Sequence, residues 1–313
     1  MSLTIGICAY NEEENIGCLL GNILEDQKIP DDSEVIVVTS GCTDKTVEIT
    51  EQYAKKYSRI KILKELKREG KASAINKILA NATGDVILFI SADTLPSQDC
   101  FKNLISRLKA SEVGVVCGKP VPINDTQTLT DRIVRILWSF HDHVFKELND
   151  AGLAKHATEI ICIRRGIVNS IPAETINDDA HLALLAKKKG WLIKYDSRST
   201  VSICGPRTFT DYVKQRKRIL HGHSQVKKAT GESPQHLLYF LPQHPILAMK
   251  LLGWLIRENG IFMFSTFTLI ELLINAIAIT EKFLKKPNNT WSIATSTKTV
   301  RQPPALLSSV PLD

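Results

Sequence analysis

Up to residue 230, short apolar runs alternate with longer stretches whose apolar positions recur every three or four residues. Leu3 to Ala9, Glu34 to Val38, Ile60 to Leu63 and Val86 to Ile90 have the length and β-branched content of strands. Between and after them, Glu12 to Leu24, Thr43 to Lys56, Lys71 to Ala80 and Ser97 to Lys109 have helical spacing. This alternation predicts an α/β domain with a mixed, mainly parallel sheet and flanking helices. Further on, Val113 to Cys117, Thr158 to Arg164 and Trp191 to Tyr195 read as strands. Thr130 to Leu148 and Ala180 to Lys189 read as helices, the second stopped by Gly190.

Beyond Gln235 the pattern shifts to long apolar segments. His236 to Ile256 is broken by Pro242 and Pro245, whereas Ile261 to Thr280 has the length of a membrane span and no basic residue. Ser265, Thr268, Glu271 and Asn275 fall three and four residues apart, which makes one polar stripe on a helix. A helix lying in the interface or packed on protein tolerates such a stripe, while a lone span would expose Glu271 to lipid. Three readings stay open for 231–284: an interfacial or re-entrant helix, an anchor through 261–280, and packing against protein. Residues 285–313, rich in Ser, Thr and Pro, read as a disordered tail.

The composition changes this picture little. With 313 residues, 43% hydrophobic and 23% charged, the chain is globular apart from its end. Its net charge of +7 favours anionic partners such as nucleotides or a membrane surface. Seven cysteines without a Cys-x-x-Cys pair suggest neither a zinc site nor a disulfide framework, and point to a reducing compartment. The first residues lack the basic and long apolar regions of a signal peptide.

Candidate chemistry gathers at the ends of the expected strands. The run Val86 to Ile90 exits into Ser91-Ala92-Asp93, where a carboxylate either holds a metal ion in the crevice of an open sheet or starts a turn before Pro96. Ala9-Tyr10-Asn11-Glu12 leaves the first strand, and either cradles a base and ribose or lets Asn11 cap an acid-rich helix. Ser40-Gly41-Cys42-Thr43-Asp44 leaves the second, with Gly41 permitting close backbone approach. Neither turn fits the dinucleotide or P-loop fingerprint. Arg68-Glu69-Gly70-Lys71 opens the third helix with cations. Asn177-Asp178-Asp179 opens a later one with carboxylates that are either caps or a base kept ionised by the helix field. Gln215-Arg216-Lys217-Arg218 is densely cationic, but no aromatic residue is interleaved, which argues against nucleic acid.

In this order and at these separations, the segments resemble the family 2 glycosyltransferases over residues 3–230. Ala9-Tyr10-Asn11-Glu12 is similar to the family's first nucleotide segment, Ser40 to Asp44 to its Asp-Gly-Ser-Thr-Asp turn, and Gly70 to Asn76 to its Gly-Lys-x-x-Ala-Leu-Asn helix. Ser91-Ala92-Asp93 resembles the Asp-x-Asp motif, Asp178-Asp179 the Glu-Asp pair, and Gln215 to Arg218 the Gln-x-x-Arg-Trp element. The resemblance implies a GT-A fold and inverting transfer of a sugar from a nucleotide-diphosphate sugar with a divalent cation, Mg or Mn. It implies that Asp93 holds the metal and Asp179 is the general base. Lys71, Gln215 and Arg218 would contact phosphates, and Ala9, Tyr10, Glu12 and Ser40 would surround the nucleoside.

The departures shape the expectation. Ser91 and Ser40 stand where the motifs have carboxylates, and Ile219 where the family has Trp. Lacking that aromatic residue and several spans, the chain is expected to transfer one sugar to a lipid-linked or glycan acceptor rather than to polymerise. A polyprenyl phosphate acceptor would need no base, leaving Asp179 to orient. The expected domains are 1–230 catalytic, 231–284 membrane-associating and 285–313 tail. The expected location is the cytoplasmic side of a membrane, peripheral or anchored through 261–280, or otherwise the cytoplasm. Two alternatives remain: a degenerate sugar-nucleotide-binding or scaffolding subunit, and a sugar-1-phosphate nucleotidyltransferase, whose Gly-rich, Arg-containing loop is missing after the first strand. His141, His143, His221 and His223 are either extra metal ligands or packing and surface residues.

Overall fold

The computed structural model describes residues 1–234, 244–283 and 297. Strands β1 (Leu3–Ala9), β2 (Glu34–Ser40), β3 (Ile60–Glu65) and β4 (Val86–Ser91) are parallel, with β1 between β2 and β4. Helices α1 (Ile16–Gly21, continued by a π-helical turn at Asn22–Asp26), α2 (Thr46–Lys56) and α3 (Lys71–Asn81) make the crossovers. Both faces of this half are covered, which is why Val86 to Ile90 reads as a continuous apolar run. Ile5, Ile7, Val35, Val37 and Leu88 pack with residues of α1 and of α4 (Cys100–Arg107), and Ile36, Val38, Ile87 and Phe89 pack with α3. Each fully buried side chain contributes about 1.5–3 kcal/mol. A one-residue slip would send a whole set to the wrong layer.

The other half is mixed. Strand β7 (Ile160–Arg164) runs antiparallel to β4 and to β6 (Val113–Pro122), β8 (Leu192–Ile203) is parallel to β6, and β5 (Thr94–Pro96) is antiparallel to β8. The order is β3-β2-β1-β4-β7-β6-β8-β5. Four of the seven pairings are parallel, as the sequence led us to expect. On a flat sheet β4 and β5 would lie about 19 Å apart. Only Ala92 and Asp93 join them, and three residue steps reach about 10 Å. The sheet must therefore curl, bringing the end of β8 beside the end of β4. Asp93 sits in that connection, where the Thr94 hydroxyl donates to the Ser91 carbonyl at 2.8 Å.

The structure extends β6 and β8 beyond the sequence reading, because each pairs along its length with strands remote in the chain. Ala92 and Asp93 form the turn expected before Pro96, and Thr94 to Pro96 then meet the edge of β8 as β5, a strand the sequence reading did not contain. Helices α5 (Leu129–Asp150) and α6 (Asp178–Lys188) pack on β6 and β8, α7 (Phe209–Thr230) lies against both, and α8 (Pro245–Phe283) lies against α5 and α7. Helix α5 opens on a capping box of Thr128 and Asp131. Helix α8 is kinked at Gly260, whose φ is 74°.

The inner face of α8, with Leu251, Leu255, Phe267 and Ile274, packs with Ile133, Phe140 and Tyr212. Glu271 points inward, accepting from Tyr212 Oη at 2.6 Å and pairing with Arg216 at 2.7 Å. The polar stripe thus includes a residue aimed at protein. The outer face leaves Ile261, Phe262, Leu269 and Leu273 exposed, Phe262 by 78%. By length and composition Pro245–Glu281 suffices to cross a membrane. The expected tail at 285–313 lies outside the described residues apart from Thr297.

Candidate functional site

Two loops at the carboxyl ends of β1 and β2 are stitched together. Asn11, with φ 51°, accepts from the Thr43 N–H at 2.8 Å, and the Glu13 N–H donates to Asp44 at 3.1 Å. Of the two readings of this segment, this removes the one in which Asn11 caps an acid-rich helix. Helix α1 starts at Ile16, after Asn15, with no acid in its first turn, because Asn11, Glu12 and Glu13 bond to Thr43, Thr46 and Asp44 instead. Glu12 is buried, its N–H donating to Thr46 Oγ1 at 2.7 Å and its carboxylate accepting from Asn15 at 2.8 Å. Ala9 is also buried, at the end of β1.

Tyr10 is half-buried, and the Arg68 guanidinium lies 4.4 Å from its ring centre. Gly41 has φ 63°, and a Cβ there would come within 2.4 Å of the Arg68 backbone nitrogen. Only glycine meets both demands. Ser40 is buried at 5% exposure and accepts the Glu69 N–H at 3.2 Å. Its hydroxyl therefore braces the loop that carries Arg68.

Beside these loops lies a charged cluster. Lys71 begins α3 directly after Gly70, whose φ is 94°, and its Nζ is 3.1 Å from Asp178 Oδ2. Burial would lower the Lys71 pKa, but 42% of the side chain is open to water, and the negative charges of Asp178, Glu159 and Asp179 raise it. Cys8, paired in the sheet with Ser91, has its thiol pushed up to about 12, first by burial and then by Asp178 and Glu65, against the pull of Lys71.

The register of β4 and β7 ends at Ile90 and Ile160, and one residue further it sets Glu159 opposite Ser91. Glu159 is raised to about 7, chiefly by burial, with Asp179, Asp93 and Asp178 adding to it against Lys71. Asp179 goes the other way. Burial works to raise it, but His156, Lys71 and the Ala180 N–H outweigh that and hold it well below the usual carboxylate range. Its Oδ1 accepts from the Ala180 N–H at 2.7 Å, and its Oδ2 lies 3.6 Å from His156 Nε2, a charge contact longer than a hydrogen bond. Two neighbouring carboxyls with pKa values driven apart are the ingredients of acid–base chemistry.

Helix α7 docks on the loop before Asp178. Asn177 donates to the Ile219 carbonyl at 3.0 Å, the Ile176 N–H donates to Gln225 at 3.0 Å, and a Cβ on Gly222 would meet Asn177 Oδ1 at 2.3 Å. Gln215, Arg218, Ile219 and Gly222 share a helical face by their spacing, so Gln215 and Arg218 extend the docking stripe. Gln215 is half-buried and Arg218 exposed. The adjacent Arg216 belongs to the structural pair with Glu271.

The histidines singled out in the sequence serve packing. The His141 ring lies 4.1 Å from that of Phe145, His143 stacks on Trp254 at 4.2 Å, His221 faces Glu281 at 3.5 Å, and His223 meets His156 at 5.4 Å. Among the described residues no group of three His, Cys, Asp or Glu side chains is arranged to hold a metal ion. The sequence reading passed over Glu159 and His156. Glu159 looked like the start of a strand, and its position opposite Ser91 depends on an antiparallel register that no local pattern encodes.

Residues 4–171 match the model of Glycosyl transferase family 2. The chain belongs to this family. Its relatives include the "Probable glycosyltransferase YdaM" of Bacillus subtilis, 27% identical over 237 residues, covering 72% of this chain and 56% of that protein. Glycosyltransferase AglE of Haloferax volcanii is 26% identical over 230 residues, covering 72% and 73%. The poly-beta-1,6-N-acetyl-D-glucosamine synthase of Staphylococcus aureus is 25% identical over 249 residues, covering 72% and 55%. The match thus spans little more than half of YdaM and of the synthase.

Among solved structures, mannosyltransferase PcManGT from Pyrobaculum calidifontis, in complex with GDP-Man and Mn2+, superposes with a TM-score of 0.65 at 20% identity. That alignment covers 91% of this chain and 88% of PcManGT. TarS of S. aureus gives a TM-score of 0.54 at 16% identity, covering 90% and 55%. The curled, mainly parallel sheet of this family 2 member is the GT-A fold.

Proposed function

We propose that this family 2 member is an inverting, non-processive glycosyltransferase. It moves one sugar from a nucleotide-diphosphate sugar to a lipid-linked or glycan acceptor at the cytoplasmic surface of a membrane. The observation that carries this reading is the meeting of Lys71, Asp93, Glu159, Asp178 and Asp179 at the carboxyl edge of the parallel strands, beside the Tyr10 and Gly41 loops. Such an edge is where open α/β sheets bind ligands.

The ionised Asp179 suits the general base. It takes the proton as the acceptor O–H bond breaks and the acceptor oxygen bonds to the anomeric carbon, while the glycosidic electron pair leaves with the diphosphate. Lys71 is placed to bind a phosphate oxygen once drawn from Asp178, and Gln215 and Arg218 are assigned the outer phosphates. The Tyr10 face, now covered by Arg68, suits a base or ribose. Asp93 offers a hard oxygen donor, and a single carboxylate fits Mg or Mn, which take one or two protein carboxylates plus substrate phosphates. Bound there, the ion would supply neutralisation of the departing diphosphate's charge. PcManGT carries Mn2+ and GDP-Man, which supports the choice of cofactor and donor class.

The exposed apolar side of α8 supports a membrane surface as partner. The Glu271–Arg216 pair on its other side favours an interfacial helix over a span, since crossing the bilayer would require breaking it. Sodium carbonate should therefore extract the protein from membranes, and a protein that resists extraction spans instead.

The donor test is thermal stabilisation by UDP, GDP and dTDP, each with and without Mn. A Mn-dependent shift for one nucleotide, absent in Asp93→Ala, is expected by linkage. No shift with any of the three would overturn the reading.

A further inference from the structure

We infer that His156 is a positioning residue for Asp179, fixing the carboxylate through Nε2–H so that one lone pair stays aimed at the acceptor hydroxyl. This inference rests on the proposed transfer reaction and deepens it. Of the two Asp179 oxygens, Oδ1 is committed to the Ala180 N–H at 2.7 Å, and Oδ2 has His156 Nε2 at 3.6 Å. His156 is 6% exposed, and neither of its ring nitrogens has a hydrogen-bond partner.

A buried imidazole N–H left unpaired loses its hydration without return, so a movement that closes it onto Oδ2 is favoured. Hydrogen bonds at catalytic groups are commonly long before substrate arrives and tighten with it. The ring has little choice of direction. His223 of α7 meets it edge-on at 5.4 Å, and Phe145 of α5 lies at 5.8 Å with the His141 ring stacked beyond. The groups facing His156 are thus Asp179 from α6, His223 from α7 and His141 from α5, and Asp179 is the one anion among them. In the reaction the acceptor's proton goes to Asp179. Its oxygen must point at the incoming hydroxyl, and a carboxylate held at only one oxygen can rotate away.

The test pairs nitrogen NMR of the imidazole with kinetics. In wild type the His156 signal, assigned by its loss in His156→Gln, should show the Nε2–H tautomer and move in Asp179→Asn. His156→Ala should lower kcat by about 100-fold, the scale of a displaced catalytic group, with the donor KM little changed. His156→Gln, whose amide nitrogen can reach the place of Nε2, should recover most of the rate, and His156→Asn should recover less. An Nδ1–H tautomer indifferent to Asp179→Asn would overturn the inference. So would wild-type kcat in His156→Ala, or a Gln variant no better than Ala. If wild type transfers sugar from no donor, the transferase reading falls, and the NMR arm still decides the contact.

Discussion

Two cation–carboxylate pairs, Lys71 with Asp178 and Arg216 with Glu271, have similar separations of 3.1 and 2.7 Å and opposite surroundings. Arg216 meets Glu271 through both Nε and Nη2, and Tyr212 donates a further bond, so the one negative charge is fully satisfied. Both side chains are mostly shielded, and the pair joins α7 to α8. Lys71 instead serves several acids at once, Asp178, Glu159 and Asp179, and keeps 42% of its side chain in water. The planar, multi-donor guanidinium suits a permanent joint, while the flexible ammonium suits a site that exchanges partners. A balanced pair builds structure. A cluster short of positive charge waits for a ligand.

The widest separation of the two regions should come from Asp179→Asn. Loss of a general base costs about 10²–10⁴-fold in kcat, and the melting temperature should fall by less than in Glu271→Ala, since Asn keeps the size and the bond from the Ala180 N–H while giving up the charge that Lys71 favours. A variant retaining wild-type turnover would remove Asp179 from the chemistry.

Glu271→Ala should do the reverse, costing about 3 kcal/mol of stability by stranding Arg216, as urea unfolding would register. Replacing both partners, with Arg216→Met and Glu271→Leu, should restore much of that loss. If the double variant is as unstable as the single one, the pair is not the isolated joint described here.

The charge shortage at the site has its own signature. Glu159 holds its proton more tightly folded than unfolded, so its stabilising contribution is complete below pH 4.5 and is lost as pH rises through about 7. In chelator, stability should therefore decline over that window by about 1–3 kcal/mol from this group, and Glu159→Gln should flatten the decline. An unchanged slope would mean that the carboxyl is not crowded as described. Gly41→Ala should cost more than the roughly 1–2 kcal/mol of left-handed backbone alone, because its Cβ meets the Arg68 backbone and displaces that loop, read as a fall in melting temperature.

Much of this was readable before any fold was known. The apolar runs of β1 to β4 are long, uninterrupted and bounded by turn residues, because strands covered on both faces need nothing but local apolar content. Gly41, Gly70 and Asp93 stand out because strand ends and helix starts in α/β units have local chemistry of their own. Asn11 left two readings open because its residue type suits a cap, whereas its role depends on a loop some thirty residues away, through the Thr43 bond.

The sequence by itself thus determined the α/β class, the parallel half of the sheet and the order of the motif segments, since periodicity and turn chemistry act over a few residues. Only the tertiary structure decided the curl that sets Asp93 beside the end of β8, the placing of Glu159 opposite Ser91, the contact of His156 with Asp179 and the inward turn of Glu271. Each of these joins residues far apart in the chain. Register and packing, not local propensity, determine which of them meet.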